Sequence, residues 1–302
     1  MFKSKNSMSR ALVRRETTAG YLFLLPSLFF FVTFVLYPMF LCIYTSFFDS
    51  NMGKNAVDVF VGLGNYKELF QDKLFLGALK NTVVIVVVAV PTVCAFSLWV
   101  ATAIYDMKPA LTSAFRCIFY LPVVTGSVAV TVVWKWMYNN YYGIFNYLGK
   151  AVGLIDKNIN WLGDEKYALG CIILILLTTS VGQPIVLYVS ALGNVDQSIV
   201  EAAEVDGATD FQCFWRIKWP AIMPTTLYIL VITTINSFQC FALIQLLTSG
   251  GPNHSTDTIM YYIYYTAFKL YRYGYGNAMG VVLAVIIAIL SAVQFKFGSQ
   301  DH

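Results

Sequence analysis

NTVVIVVVAVPTVCAFSLWVATAIY (81–105) contains no Asp, Glu, Lys or Arg. Its heart, VVIVVVAV (83–90), is apolar on every face, whereas a barrel strand would alternate apolar and polar residues over about ten positions. A backbone in hydrocarbon has no water to bond, so a segment of this kind must pair its amides internally, as a helix does. About 20 helical residues cross the ~30 Å of a bilayer core, and this run is long enough.

Five more charge-free runs flank it, at 21–48, 117–134, 167–192, 225–247 and 276–295, and CIILILL (171–177) and VVLAVIIAIL (281–290) are as uniformly apolar as the first. Over 302 residues the chain is 58% hydrophobic and 12% charged, about half the charged fraction of an ordinary soluble domain. The expected fold is therefore an all-α integral membrane protein of six transmembrane helices. The six cysteines have no paired spacing and read as small buried hydrophobes. Two histidines, His254 and His302, do not make a metal site by themselves. The net charge of +4 is spread over loops and gives no argument for nucleic acid.

Lys3, Lys5, Arg10, Arg14 and Arg15 precede the first apolar run. That run is longer than a signal-peptide core and no small-residue cleavage site follows it, so it reads as an uncleaved anchor. The positive-inside rule places this tail in the cytoplasm, and an even number of spans returns the C-terminus to the same side. Residues 1–20 form a basic cytoplasmic tail and 21–302 the membrane domain in this reading. Lysines and arginines in total divide evenly between the two sides. The asymmetry lies in the tail and in arginine, since only Arg272 of six falls outside.

Between the fourth and fifth runs lies EAAEVDGATDFQCFWRIKWPAIMP (201–224), an acid-rich hairpin on the inner side. Asp196 or Ser198 can cap a short helix there, with Glu201 three residues after Ser198 as in a capping box. A rod over 198–208 is ~16 Å long. Ala202 and Ala203 keep one side of it thin, and Gly207 suits a sharp turn. A second short helix is expected over 209–218, amphipathic through Phe211, Phe214, Trp215 and Ile217, with Pro220 and Pro224 setting the start of the fifth span. Interfacial helices are usually basic on the polar face; Glu201, Glu204, Asp206 and Asp210 outnumber Arg216 and Lys218 here. Such a face suits a basic protein partner better than anionic lipid.

The order Glu201-Ala202-Ala203, Asp206-Gly207, then Ile217 and Pro220 resembles the EAA loop of binding-protein-dependent ABC importer permeases. At ~7% usage per residue type, a chance match of the Glu, Ala, Ala, Gly, Ile and Pro positions at a given site is roughly a one-in-ten-million event. Trp219 stands where leucine is common before the proline. GLGNYKELFQDKLFLGALKNT (62–82), LPVVTGSVAVTVVWKWMYNNYYGIFN (121–146) and LIQLLTSGGPNHSTDTIMYYIYYTAF (243–268) resemble further segments of sugar permeases of the maltose-transporter type, and of the first of their two subunits. The resemblance implies a type I ABC importer permease whose coupling loop, 193–224, docks on an ATPase through Glu201, Ala202, Ala203, Asp206, Gly207, Ile217 and Pro220. It also implies a second permease subunit, two ATPase subunits holding ATP and Mg, an extracytoplasmic solute-binding protein, and a place in a prokaryotic cytoplasmic membrane. The chain itself is expected to bind no cofactor and to catalyse nothing. It has no G-x-x-x-x-G-K-[ST] phosphate loop, and Gly250-Gly251-Pro252-Asn253 reads as a turn.

No Asp or Glu falls inside a predicted span, which argues against a self-contained secondary carrier or a channel for a neutral solute, the alternative reading. No Arg or Lys falls there either, which points to an uncharged solute. Neutral polar residues cluster in the fourth and fifth spans. Thr179, Gly182, Gln183, Thr233, Asn236, Ser237, Phe238 and Gln239 are the candidate pathway residues, amides and hydroxyls beside aromatic rings being ordinary sugar-binding chemistry. By the resemblance Thr179, Gly182, Thr233 and Ser237 fall at sugar-site positions, while Ile185 and Cys240 depart from the pattern. Helix–helix packing explains Ser, Thr and Gly equally well, and Trp134, Trp136, Tyr138, Tyr141 and Tyr142 read as an interfacial belt.

Overall fold

The computed structural model describes residues 3–50 and 58–298; His302 and the last residues of the expected membrane domain lie outside them. In chain order the elements are α1 (Lys3–Phe31), α2 (Tyr37–Thr45), β1 (Phe48–Asp49), β2 (Val59–Phe60), α3 (Gly64–Leu69), α4 (Lys73–Tyr105), α5 (Pro109–Val124) and α6 (Ser127–Met137). They continue with α7 (Ile144–Ala151), α8 (Glu165–Ser180), α9 (Gly182–Gly193), α10 (Gln197–Val205), α11 (Asp210–Cys213), α12 (Trp219–Phe238), α13 (Ala242–Leu247), α14 (Ile259–Tyr264) and α15 (Tyr273–Gly298). Among the described residues the only sheet is the antiparallel pair β1–β2, Phe48 opposite Phe60.

Among the described residues five helical stretches are long and apolar enough to cross a membrane: Glu16–Thr45, Lys73–Tyr105, Glu165–Gly193, Asp210–Leu247 and Tyr273–Lys296. The remaining expected span, the third in chain order, is not one straight helix. It is the pair α5 and α6, bent by 96° at Thr125–Gly126. Thr125 and Gly126 are extended, with ψ of 126° and 141°, so the hydrogen-bond ladder stops there although the apolar run continues on both sides. Within the expected basic tail α1 is helical from Lys3 and runs without a gap into the first span.

Two helices pass a proline by the same device. Tyr37 donates its amide to the Val32 carbonyl and Trp219 to the Phe214 carbonyl, an i→i−5 bond in each case. Pro38 and Pro220 come next in sequence. In a regular helix each ring would strike the carbonyl four residues back; the wide turn makes room for it. Pro220 therefore does not begin the fifth span as the sequence suggests. The helix enters from α11, through Phe214–Lys218, into α12 unbroken.

α4 is the central post, packed on α8, α9 and α12, while α15 packs on α12, α14 and α2. Lipid gives apolar helices no transfer energy for meeting each other, so close fit and small residues must do it. Ala89, Ser97 and Ala101 of α4 are buried and let its neighbours approach, and the Ser97 hydroxyl donates to the Val181 carbonyl at 3.3 Å. The first span is the exception, its most apolar stretch having no buried residue. It is tied to the bundle near its end, where Asn277 donates to the Thr45 hydroxyl at 2.7 Å. The cysteines are all free; Cys171, Cys213 and Cys240 are buried as expected, whereas Cys117 is exposed on α5.

Candidate functional site

The 193–224 loop caps one end of the bundle. Asp196 starts α10, its carboxylate accepting from the Ser198 amide at 2.9 Å and hydroxyl at 2.8 Å. Those bonds, hydroxyl first, hold the Asp196 carboxyl below the ordinary aspartate range. Of the two expected caps Asp196 is the one used, so Ser198 does not form the capping box with Glu201, and the helix runs over Gln197–Val205 in place of the expected 198–208. Its nine residues make a rod ~13 Å long.

The rod ends where the glycine requires. Gly207 has φ +86°, its amide reaches the Glu204 carbonyl at 3.0 Å, and the Ala208 amide reaches Ala203 at 2.9 Å. This 5→2 and 6→1 pattern is a Schellman stop, which needs a left-handed residue at the turn. A Cβ on Gly207 would meet nothing within 4 Å, so the demand is for backbone angle and not for space. Thr209 then opens α11 with a reciprocal capping box, the Thr209 amide on Gln212 Oε1 at 2.9 Å and the Gln212 amide on Thr209 Oγ1 at 3.4 Å.

Glu201, Ala202, Asp206, Gly207 and Pro220 are exposed; Ala203 and Ile217 are half-buried. Val200 and Cys213 face inward and fasten the hairpin. None of Glu201, Glu204, Asp206 or Asp210 makes an ion pair among the described residues. Two apolar residues that the sequence reading did not single out, Ile199 at 54% exposure and Val205 at 88%, also project outward, as does Phe211 at 72%. Ile199, Ala202 and Val205 recur every third position on α10 and so form a stripe. The signal was helical spacing, masked by the acids between. The hairpin leans on the bundle through Lys218, whose ammonium lies 5.6 Å from the Tyr105 ring centre at the end of α4.

At mid-span, α8, α9 and α12 enclose a cavity of about 180 Å³. Thr179, Gln183, Thr233, Asn236 and Ser237 line it together with Ser180, Tyr228 and Val123. Thr179 spends its hydroxyl on the Ile175 and Leu176 carbonyls, both at 3.1 Å. The Gln183 and Asn236 amides are exposed and have no side-chain hydrogen bond among the described residues. The other three candidates lie elsewhere. Gly182 is buried against α5, where a Cβ would come within 2.4 Å of the Phe119 carbonyl oxygen. Phe238 is buried with Leu69, Phe75 and Met279, and Gln239 is exposed beyond the cavity at the end of α12. Tyr228, four residues before Ile232 and eight before Asn236, completes the lining and gave no polar-cluster signal of its own. Ile185 and Cys240 are core residues.

Residues 61–298 match the family described as "Binding-protein-dependent transport system inner membrane component". The chain is 32% identical to the lactose transport system permease protein LacF of Rhizobium radiobacter over 288 residues, covering 94% of this chain and 95% of the relative. It is 32% identical to the multiple sugar-binding transport system permease protein MsmF of Streptococcus mutans over 281 residues, covering 93% and 95%. Its fold matches a chain in the crystal structure of a bacterial ABC transporter involved in the import of the acidic polysaccharide alginate. The TM-score is 0.80 at 24% identity, over 97% of this chain and 99% of that one.

Proposed function

The chain belongs to the family of binding-protein-dependent transport system inner membrane components, and from that premise we propose that it is a permease subunit of an ATP-driven ABC importer for a sugar or oligosaccharide. The 193–224 loop faces the cytoplasm, as do both termini, in a prokaryotic cytoplasmic membrane. α10 seats in a cleft of an ATPase subunit through Glu201, Ala202, Ala203, Asp206 and Gly207, with Ile217 and Pro220 fixing how the ledge joins the fifth span. A second permease completes the membrane channel, two ATPases hold ATP and Mg, and an extracytoplasmic protein delivers the solute. The chain binds no cofactor of its own. LacF and MsmF are named as sugar transport permeases, which supports the solute class.

One observation carries the reading: a short helix closed by Gly207 presents exposed, unpaired acids and an apolar stripe at the end of a bundle of membrane-length helices. A surface of that kind gains by meeting a basic, grooved protein and gains little from anionic lipid. Closure of the ATPase dimer would draw α10 with it and shift the bundle between inward- and outward-open states. Moving such an equilibrium from 1:99 to 99:1 takes ~5.5 kcal/mol of differential binding, within the reach of nucleotide. Solute then crosses by the cavity of Thr179, Gln183, Thr233, Asn236 and Ser237.

Uptake by the reconstituted complex tests this. Glu201→Lys reverses the charge of the ledge, and Gly207→Val forces a branched residue into the left-handed region. Each is expected to abolish ATP-driven uptake while the subunit still inserts and assembles. Wild-type uptake rates in either variant would remove the docking role.

A further inference from the structure

The groove between α5 and α9 carries a cation that no neighbour among the described residues neutralises. Thr112, Arg116, Tyr120 and Val123 recur at the spacing of one helical face on α5. Gln183, Leu187, Ser190 and Asn194 do the same along α9 and its C-cap, and the two helices pack together. Three cavities follow one another between these faces. Val123, Gln183 and Leu187 border the mid-span cavity. Arg116, Tyr120, Gln183 and Leu187 border the next. Arg116, Thr112, Ser190 and Asn194 border the third, which is about 390 Å³ and opens at the loop end. Gln183 links the first to the second and Arg116 the second to the third.

Arg116 has a buried Nε with no hydrogen-bond partner and makes no ion pair among the described residues. Neither cavity that it borders is lined by an Asp or Glu; Asp106 and Lys108, in the turn between α4 and α5, are outside both linings. A buried donor left unmatched is costly, and an acceptor arriving in the groove would relieve it. Guanidinium pairs best with the two oxygens of a carboxylate or phosphate. Ser190, Ser113 and the Asn194 amide stand around the same opening as further donors. The expectation of an uncharged solute came from a span drawn to begin at Cys117; the helix begins at Pro109 and takes Arg116 with it.

We propose that the α5–α9 groove is the lane by which solute leaves the mid-span cavity towards the loop end, and that Arg116, with Ser190 and Asn194, grips a carboxylate or phosphate carried by that solute. The inference rests on the permease reading above and narrows its solute to an anionic one. The test uses the whole nucleotide-free complex in lipid nanodiscs, with cellobiose and its glucuronate-terminated counterpart as probes and binding read by calorimetry. The acidic disaccharide should bind about tenfold more tightly than the neutral one, the scale of one charge-assisted hydrogen bond. Arg116→Gln should erase the preference and Arg116→Lys keep part of it. Asn194→Asp, which sets an acid beside the guanidinium without removing it, should reduce it. Inorganic phosphate should compete for the site in wild type only. No preference in wild type, or a preference that survives Arg116→Gln, overturns the proposal. So does a probe signal present in phosphatidylcholine discs but blocked in phosphatidylglycerol discs, because the anion held there would then be a lipid headgroup. ATP-driven uptake by the same complex sealed into proteoliposomes separates the two claims: uptake without the preference sinks the groove alone, and absence of uptake in wild type sinks the permease reading.

Discussion

The two ends of the bundle are both polar, yet they spend their polar groups in opposite ways. At the end away from the 193–224 loop a set of polar side chains is bonded across elements. Asp72 caps α4 and accepts on Oδ2 from Tyr262 at 2.7 Å and Tyr275 at 2.9 Å. Arg272 donates twice to Glu68, at 2.8 Å each. Asn81 donates to the Ser255 and Asp257 carbonyls, Thr82 accepts from the Ile259 amide, and Asn65 donates to the Ser46 and Phe48 carbonyls. At the loop end the acids of α10 face outward with no ion pair among the described residues, and the hairpin leans on the bundle through rings, Lys218 on Tyr105 and Phe214 and Trp215 on Trp219. One end is bolted by long-range bonds within the chain; the other is an offered surface. The difference teaches where to look for a partner: under the permease reading, docking is proposed at the end whose acids the chain's own neighbours leave unsatisfied.

The largest break in this comparison is expected from Asp72→Ala. It leaves two tyrosine hydroxyls without their acceptor and removes the cap of α4. Hydrogen bonds to a charged group contribute about 1.5–3 kcal/mol each and a cap about 1 kcal/mol, discounted because the site is partly open to solvent; a loss of about 3 kcal/mol follows. Thermal unfolding of the solubilised subunit should show a midpoint several degrees lower. An unchanged midpoint would mean that the far end is not bolted through this residue. Acid should act on the same bolt. Desolvation opposes ionisation of Asp72, but the bonds from Tyr262, Tyr275 and the backbone outweigh it and its pKa is lowered. Its contribution is therefore fully present above the ordinary aspartate value and is lost as pH falls through the lower folded one. The wild-type midpoint should drop in that acid window more than the Asp72→Ala midpoint does.

Much of this organisation was legible in the residue order, and the illegible part has a physical reason. Charge-free runs gave the spans, because nothing charged crosses lipid cheaply. They did not give the bend in the third, since Thr125–Gly126 breaks a helix without breaking hydrophobicity. The second loop helix and the fifth span looked separable at Pro220; a wide turn over Phe214–Lys218 joins them, and propensity alone does not announce such a turn. The polar clusters at 178–184 and 233–239 were visible, but not which side of each helix opens on the cavity. Gly182 and Phe238 turn into neighbouring helices while Tyr228 turns into the cavity, and that choice is made by packing partners far away in sequence. The far-end bonds were invisible for the same reason, Asp72 and Tyr275 being separated by 203 residues.

A subtler test separates two aspartates at the bolted end. Asp257 has its carboxylate buried, one oxygen 2.7 Å from His254 Nδ1 and the other without a partner. Burial raises its pKa, and the His254 contact only partly offsets this. Its sign is opposite to that of Asp72: stability is fully present below the ordinary aspartate value and is lost as pH rises through the raised folded one. Asp257→Asn keeps an acceptor for the histidine and removes the charge. At pH 7 the variant should be as stable as wild type or more so, by up to about 1 kcal/mol, and its midpoint should not decline between mildly acidic and neutral pH as the wild type's does. A variant clearly less stable at neutral pH would show that the carboxylate is a bolt like Asp72.

Smallest of all should be the effect of Glu68→Gln, although the pair that it breaks has the best geometry at this end. Arg272 and Glu68 are 37% and 49% exposed, so water competes for both partners and the Coulomb gain is screened. Arg272 also keeps its place over the Tyr275 ring, 4.6 Å from the ring centre, and that contact does not need the carboxylate. A loss below about 1 kcal/mol is expected, shrinking further as salt is raised. If Glu68→Gln instead cost as much as Asp72→Ala, exposure would not be what ranks these bonds. The acids of α10, exposed and without an ion pair among the described residues, would then have to be judged by their geometry alone.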